Sequence, residues 1–259
     1  MSKIHDVDAL QSQYARDGYL IFRDVIDADL LAEASGHMEW LSRQHPDLQP
    51  EQLGNDLMTD DPFWVRLVSD PRLLEIAEVF IGPDIALFAS HYISKPPFSG
   101  QPVLWHQDGA YWPLSPMEVV TCWLAVDESS TENGCMRVVP GSHTSDIASM
   151  HQTGSDNVLA SETDAAVDES RAVDLELSPG DVEVHHPKIL HSSKANTSPS
   201  RRCGLTIRYI PTSTRITAEQ QPFPSAFHLQ GARGDNAFQP RPRYVEGRHY
   251  PFRDSATWT

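Results

Sequence analysis

The sequence predicts a mainly β chain, an antiparallel sandwich or barrel, with helices gathered at its N-terminus. Three observations lead there. Helical periodicity is confined to the first ~85 residues. Beyond them come many short apolar or alternating runs, broken by Pro, Gly, Asn and Asp. The helices precede the strands and do not alternate with them, which argues against a parallel sheet of βαβ units.

Taken in order, the first helix ends at Gly18, and "YLIFRDV" follows as an early strand. In "DADLLAEASGHMEWL", Leu30, Leu31, Ala34, Met38 and Leu41 form one apolar stripe, with Asp27 as cap. "DDPFWVRLVSD" and "SDPRLLEIAEVFIGP" share an Asp-Pro start. In the latter, Asp70 caps, Pro71 fits the first turn, and Gly82-Pro83 stops the helix. The strand candidates are "IALFASHYI", "PVLWHQD", "VTCWLAV", "CMRVVPG", "AVDLEL", "DVEVHH", "KILHSS" and "GLTIRYI", with "ENG" and "SPGD" as turns. Residues 144–172 are acidic and polar, and residues 211–254 are rich in Pro and Arg. Both read as loops, and 144–172 and 211–250 are candidate lids. There is no internal repeat. The expectation is a single domain over 1–259: a mostly helical part over 1–84, a β core over 85–210 and a loop-rich segment over 211–259.

A chain of 259 residues with 39% hydrophobic content supports one large core. A net charge of −16 argues against binding a phosphate backbone, so no nucleic-acid partner is expected. No run approaches the ~20 apolar residues of a membrane span. "MSKIHDVDALQSQ" lacks the apolar core of a signal peptide, so a cytoplasmic location is expected. Cys122, Cys135 and Cys203 have no CxxC spacing and read as reduced thiols.

The stretch "LWHQDGAYW" carries His106 and Asp108. With 12 His and 36 Asp plus Glu, roughly 1.7 H-x-[DE] matches arise by chance, so the motif alone is weak. Two further matches are decoys. His37 and Glu39 lie mid-helix, where residues two apart diverge, and His45-Pro46-Asp47 lies in a Pro-broken loop. His106 and Asp108 end a strand-like run, where i and i+2 share a face roughly 7 Å apart at Cα. An imidazole and a carboxylate so placed can converge on one ion, with Gln107 facing away. A facial triad then needs one more ligand, usually histidine, from another segment. His185, His186 and His191 are all candidates, and local geometry does not choose among them. His143, in "PGSH", reads as a structural turn residue.

At this point a resemblance is visible. Residues ~10–210 resemble the phytanoyl-CoA dioxygenase family of Fe(II)/2-oxoglutarate oxygenases, through "DGYLIFRDVI", "SKPPFSG", "WHQDGAYWPLSP", "VTCWLAVDESSTENGCMRVVPGSH" and "SPGDVEVHHPKILHSSKANTSPSRR" in that order. The resemblance implies His191, in "LHSS", as the distal ligand, with His186 as the earlier, non-ligating histidine. Ser192 stands where many relatives have Gly. The family's 2-oxoglutarate arginine follows the distal histidine by eleven residues, which lands on Arg202, beside Arg201. Gln107, Trp123 and Ser193 match positions that line the cosubstrate pocket. Lys95 also matches a family position, though a solvated lysine fits equally well.

The physics of an arginine anchor agrees, since a guanidinium grips a carboxylate as a planar, permanently charged fork. Arg202 begins "RRCGLTIRYI" and is expected on a strand beside the one carrying His191. Trp123 shares a face with Thr121 and Ala125, as a core residue, a pocket wall or both.

The resemblance implies a double-stranded β-helix (jelly-roll, cupin-like) core with the helices packed on one sheet. It implies Fe(II) on His106, Asp108 and His191, with 2-oxoglutarate held by Arg202 and O2 as the second cosubstrate. The reaction would be hydroxylation of a C–H bond with decarboxylation of 2-oxoglutarate to succinate and CO2. Halogenating relatives lack the carboxylate ligand, so Asp108 favours hydroxylation over halogenation, while desaturation, ring formation and epimerisation use the same triad and stay open. The expected partner is a small-molecule substrate, with Tyr111 and Trp112 as its contacts, and the chain is expected to be a monomer or homodimer. The alternatives are a cupin-like metal- or ligand-binding module without oxygen chemistry, and a Zn enzyme on the same scaffold.

Overall fold

The structure is a computed structural model that describes residues 4, 6–217, 227–234 and 237–258. Its helices are α1 (Val7–Asp17), α2 (Ala28–Gln44), α3 (Asn55–Met58), α4 (Pro62–Val68) and α5 (Pro71–Ile81). Asp6, Asp27, Asp61 and Asp70 each accept a backbone N–H in the first turn of α1, α2, α4 and α5. Gly18 closes α1 in the left-handed region, at φ 82°, its N–H donating to the Tyr14 carbonyl. The buried stripe of α2 is Leu30, Ala34, His37, Met38 and Leu41. His37 is therefore a core residue. Its ring is fully buried, with Nε2 donating to Asp61 at 2.8 Å and Nδ1 3.0 Å from the Tyr92 hydroxyl.

The strands are β1 (Tyr19–Phe22), β2 (Ile85–Lys95), β3 (Val103–His106), β4 (Leu114–Ser115), β5 (Val120–Ala125), β6 (Met136–Val138), β7 (Met150–Gln152), β8 (Ser161–Thr163), β9 (Val173–Leu175), β10 (Val182–His185), β11 (His191–Ser193), β12 (Arg202–Pro211), β13 (Arg215–Ile216) and β14 (Phe227–Gln230). One sheet has six strands in the order β1-β10-β5-β12-β2-β14, and another has four in the order β3-β11-β6-β9. Every pairing within them is antiparallel. Two small ribbons, β4 with β13 and β7 with β8, lie outside these sheets. The β7–β8 hairpin falls in 144–172, which the sequence had suggested as loop.

The larger sheet is covered on both faces, which is why β12 is buried at every position. Its outer face carries Val120, Cys122 and Leu124 of β5, Val182 and Val184 of β10, and Cys203, Leu205, Ile207 and Tyr209 of β12. These pack on Leu30, Met38, Phe63, Trp64, Leu73 and Ile76 of the helices. The inner face turns toward the smaller sheet, where Trp123 and Ala125 meet Met136, Val138, Leu175 and Ile189. This is the expected jelly roll, with the helices on one sheet and a narrow interior between the two. All three cysteines are buried and free. Among the described residues, no helix is long and apolar enough to cross a membrane.

Gly204 faces that interior beneath Trp123. A Cβ built there falls inside the indole ring. Gly204→Ala is expected to cost about 1–3 kcal/mol by overpacking, read as a lower midpoint in urea unfolding.

Candidate metal centre and its cavity

Period-2 alternation builds the site. Along β12 the inward residues are Arg202, Gly204, Thr206 and Arg208, opposite the outward apolar set. The smaller sheet supplies the other wall. There β3 and β11 pair with His106 directly opposite His191, ring centroids 4.0 Å apart. Asp108 opens a 3-10 turn just past β3. All three residues are buried, and their candidate ligand atoms lie within 4.8 Å of one another.

The hydrogen bonds decide which nitrogens face inward. His106 Nδ1 donates to the Leu104 carbonyl at 2.8 Å, and His191 Nδ1 donates to the Ile189 carbonyl at 3.1 Å. A carbonyl only accepts, so both Nδ1 atoms carry protons. Burial, with His106 close by, holds His191 well below the ordinary imidazole range and leaves its Nε2 bare. The two Nε2 atoms stand 3.4 and 3.8 Å from Asp108 Oδ1. Burial alone would raise Asp108, but Arg208 and the surrounding histidines outweigh it and keep the carboxylate ionised, well below its usual range. Two imidazole Nε2 atoms and a carboxylate oxygen gathered in one buried site are a set of ligand atoms that a cation would hold together. The donor set therefore fits a divalent metal held by one carboxylate and two histidines on one side.

The other oxygen of Asp108 is held from behind. His185 Nε2 is 3.5 Å away and Arg208 Nη2 is 3.7 Å away. His185 Nδ1 donates to Glu183 at 2.9 Å. Burial would lower His185, but Glu183 and Asp108 outweigh it and push it up to about 9. Of the three histidines left open by the sequence, His191 joins the cluster, His185 supports it, and His186 lies outside against Tyr14 and His143.

Arg202 lines the same cavity. Its Nε and Nη2 donate to the Gly134 carbonyl at 3.1 and 3.0 Å, and the guanidinium lies over Trp123 at 5.1 Å. Its Nη1 is buried with no partner among the described residues. Burial pushes Arg202 down to about 10, so it stays charged at neutral pH. Gly134 approaches so closely that a Cβ there would collide with the Lys194 carbonyl, and its φ of 81° is also one glycine favours. Arg201 points the opposite way, into ion pairs with Asp127 and Glu39 on the helix side.

Lys95 is not solvated. It is fully buried and donates to Ser193 Oγ at 2.7 Å and to the Lys194 carbonyl at 2.5 Å. Burial, with the Arg202 charge beside it, pushes Lys95 down to about 6.

One expectation needs correction. Arg202 does not sit on a strand beside the one carrying His191. After β11 the chain crosses from the four-stranded sheet to the six-stranded one, so β12 faces β11 across the interior. Facing sheets bring a metal and a carboxylate anchor onto opposite walls of one cavity, which neighbouring strands cannot do.

Of the other expected site residues, Trp123 and Ser193 line the cavity. Gln107 is buried but faces away, as alternation next to His106 requires. Its amide donates to the Lys188 carbonyl at 2.7 Å and accepts from Ala148 N–H at 2.9 Å. Tyr111 stands edge-on to His106 and shares a 2.6 Å hydrogen bond with Ser161 on β8. Trp112 packs on Phe88 and lies 5.4 Å under the Arg208 guanidinium. The sequence reading missed Arg208, Thr206 and His91, which also line the cavity. Continuing the alternation from Arg202 along "RRCGLTIRYI" would have found the first two.

Comparisons with known proteins place the chain among oxygenases by sequence and fold. The chain is 35% identical over 147 residues to the "Probable alpha-ketoglutarate-dependent hypophosphite dioxygenase" of Stutzerimonas stutzeri, covering 55% of this chain and 51% of that protein. Against that relative, then, the match spans about half its length. The chain is 24% identical over 237 residues to the ectoine dioxygenase of Sphingopyxis alaskensis, covering 81% of this chain and 76% of that one. Among solved structures, the non-heme monooxygenase ThoJ superposes with a TM-score of 0.78 at 23% identity, over 90% of this chain and 88% of that one. That likeness is one of fold. The phytanoyl-CoA dioxygenase family model matches residues 14–204, a span that holds the buried His-Asp-His cluster and Arg202. The chain belongs to the phytanoyl-CoA dioxygenase family of Fe(II)/2-oxoglutarate-dependent oxygenases.

Proposed function

We propose that this protein is an Fe(II)/2-oxoglutarate-dependent dioxygenase that hydroxylates a C–H bond of a small molecule. The observation that carries this is the pairing of two groups in one cavity: two imidazole Nε2 atoms meeting Asp108, and a buried arginine with an unpartnered N–H. Bound Fe(II) with 2-oxoglutarate and O2 supplies the oxidation, one oxygen atom going to the substrate and one to succinate as CO2 leaves. His106, Asp108 and His191 hold the metal from one side and leave its remaining positions open. Arg202 Nη1 binds the far carboxylate of 2-oxoglutarate, with Trp123 fixing the guanidinium plane and Ser193 on the adjoining wall. Glu183 and His185 hold the Asp108 carboxylate in place.

Leu159, from the segment 144–172, lines the cavity, and the Tyr111–Ser161 bond ties that segment to the metal side. This segment keeps bulk water off the site. Residues 218–226 of the other candidate lid lie outside the described residues. Hypophosphite and ectoine, in the names of two relatives, are small molecules, which supports a substrate of that size.

Succinate release measured across a small-molecule library tests the reading. At least one substrate should give succinate and hydroxylated product in equal amounts. A metal-loaded enzyme that yields no succinate with any member would instead favour a binding module or a Zn enzyme.

A further inference from the structure

The interior holds a second cationic end that the metal and cosubstrate do not use. Arg208 is buried at the opposite end of the inward ladder from Arg202, six residues along β12, or about 20 Å at Cα. Its Nη1 is occupied, donating to Thr206 Oγ1 at 2.8 Å and to His91 Nδ1 at 2.6 Å. Its Nε has no partner among the described residues, and its Nη2 comes no closer than 3.7 Å to Asp108. The Nε–Nη2 edge, with Nε unpartnered and Nη2 facing Asp108 at 3.7 Å, beyond hydrogen-bond length, is the one that matches a carboxylate in a two-pronged bond. Trp112, beneath the guanidinium at 5.4 Å, holds that fork in a fixed plane. Thr121 pairs with Arg208 on one side and with His185 on the other, and its buried hydroxyl also lacks a partner. A buried guanidinium N–H left without a partner in the cavity marks a missing acceptor.

Charge points the same way. A divalent metal, Asp108, doubly charged 2-oxoglutarate and Arg202 balance to zero. His91 Nδ1 accepts from Arg208 and so supplies no counter-charge to it. On that formal count Arg208, which shares Asp108 with the metal, adds one positive charge that an anionic substrate would balance.

We propose that the substrate carries a single oxyanion, a carboxylate in the first instance, gripped by the Nε–Nη2 edge of Arg208. This rests on reading His106, Asp108 and His191 as the metal ligands and Arg202 as the 2-oxoglutarate anchor. Arg208 stands too near Asp108 to anchor the far end of a molecule that chelates the metal, which separates the two arginine roles.

The test is binding without turnover. The full chain is loaded with Mn(II) and saturating 2-oxoglutarate without oxygen. It is then titrated calorimetrically with small acids from acetate to phenylpropionate and N-acetyl amino acids, each beside its primary amide. At least one acid should bind about 10–100-fold more tightly than its amide. Arg208→Gln should remove that preference while leaving the amide's affinity in place, and Arg208→Lys should restore part of it. No acid binding more tightly than its amide, in wild type, would overturn the proposal. An acid preference that survives intact in Arg208→Gln would also overturn it, by placing the anion on another group. Absence of the visible band of the Fe(II)–2-oxoglutarate complex in wild type would instead sink the underlying reading of the metal site.

Discussion

Replacing Asp108 with Ala is expected to strip the protein of tightly bound Fe(II) and to lower turnover by about 10³-fold or more. Asp108 supplies the only carboxylate among the three clustered ligand residues, and its oxygen is the point where both imidazole nitrogens converge. Without it the metal loses a charged ligand, and several kcal/mol of metal binding and charge stabilisation go with it. The fold should survive, because Asp108 opens a short 3-10 turn and carries no part of the apolar core. Iron content per chain and succinate formation measure the effect. A variant that keeps stoichiometric iron and near-normal turnover would remove Asp108 from the site.

Arg202→Ala is expected to raise KM for 2-oxoglutarate about 10–100-fold, the worth of a buried charge-assisted hydrogen bond, with a smaller change in kcat. Arg202→Lys should not restore the wild-type value. A lysine cannot keep both bonds to the Gly134 carbonyl, lie flat on Trp123 and still present a fork to the cosubstrate. Arg201→Ala should leave KM near wild type, because its guanidinium is engaged by Asp127 and Glu39 on the far side of the sheet. The KM values of the three variants settle which arginine does the work. A large increase in Arg201→Ala alone would contradict the cavity assignment.

Much of this was legible because local chemistry and global fold agree. Asp27 and Asp70 cap the helices expected of them, and the runs from "IALFASHYI" to "GLTIRYI" become strands of the two facing sheets. His106 and Asp108 could be placed on one face because a period of two is a strong constraint. The same constraint turns Gln107 away from the metal, where motif matching alone had grouped it with the cosubstrate pocket.

What was not legible depends on contacts between distant segments. No local pattern could say that β12 faces β11 instead of pairing with it, since sheet crossing is set by how the whole sandwich closes. His185, His186 and His191 fall within seven residues and differ only in which way each points. Lys95 looked like a surface lysine because nothing nearby announces the carbonyl of Lys194 and the hydroxyl of Ser193 that enclose it. Arg208 was hidden for a similar reason. Its partners His91 and Trp112 come from segments about 100 residues or more away, and a charged residue in an apolar run draws notice only once both faces of the strand are known to be buried.

Anaerobic absorption spectroscopy of the wild-type protein tests the central claim most directly. On adding Fe(II) and then 2-oxoglutarate, a weak visible charge-transfer band should appear, saturate at one equivalent of each, and be absent from Asp108→Ala. A folded, iron-loaded wild type that shows no such band would contradict the assignment of His106, Asp108, His191 and Arg202.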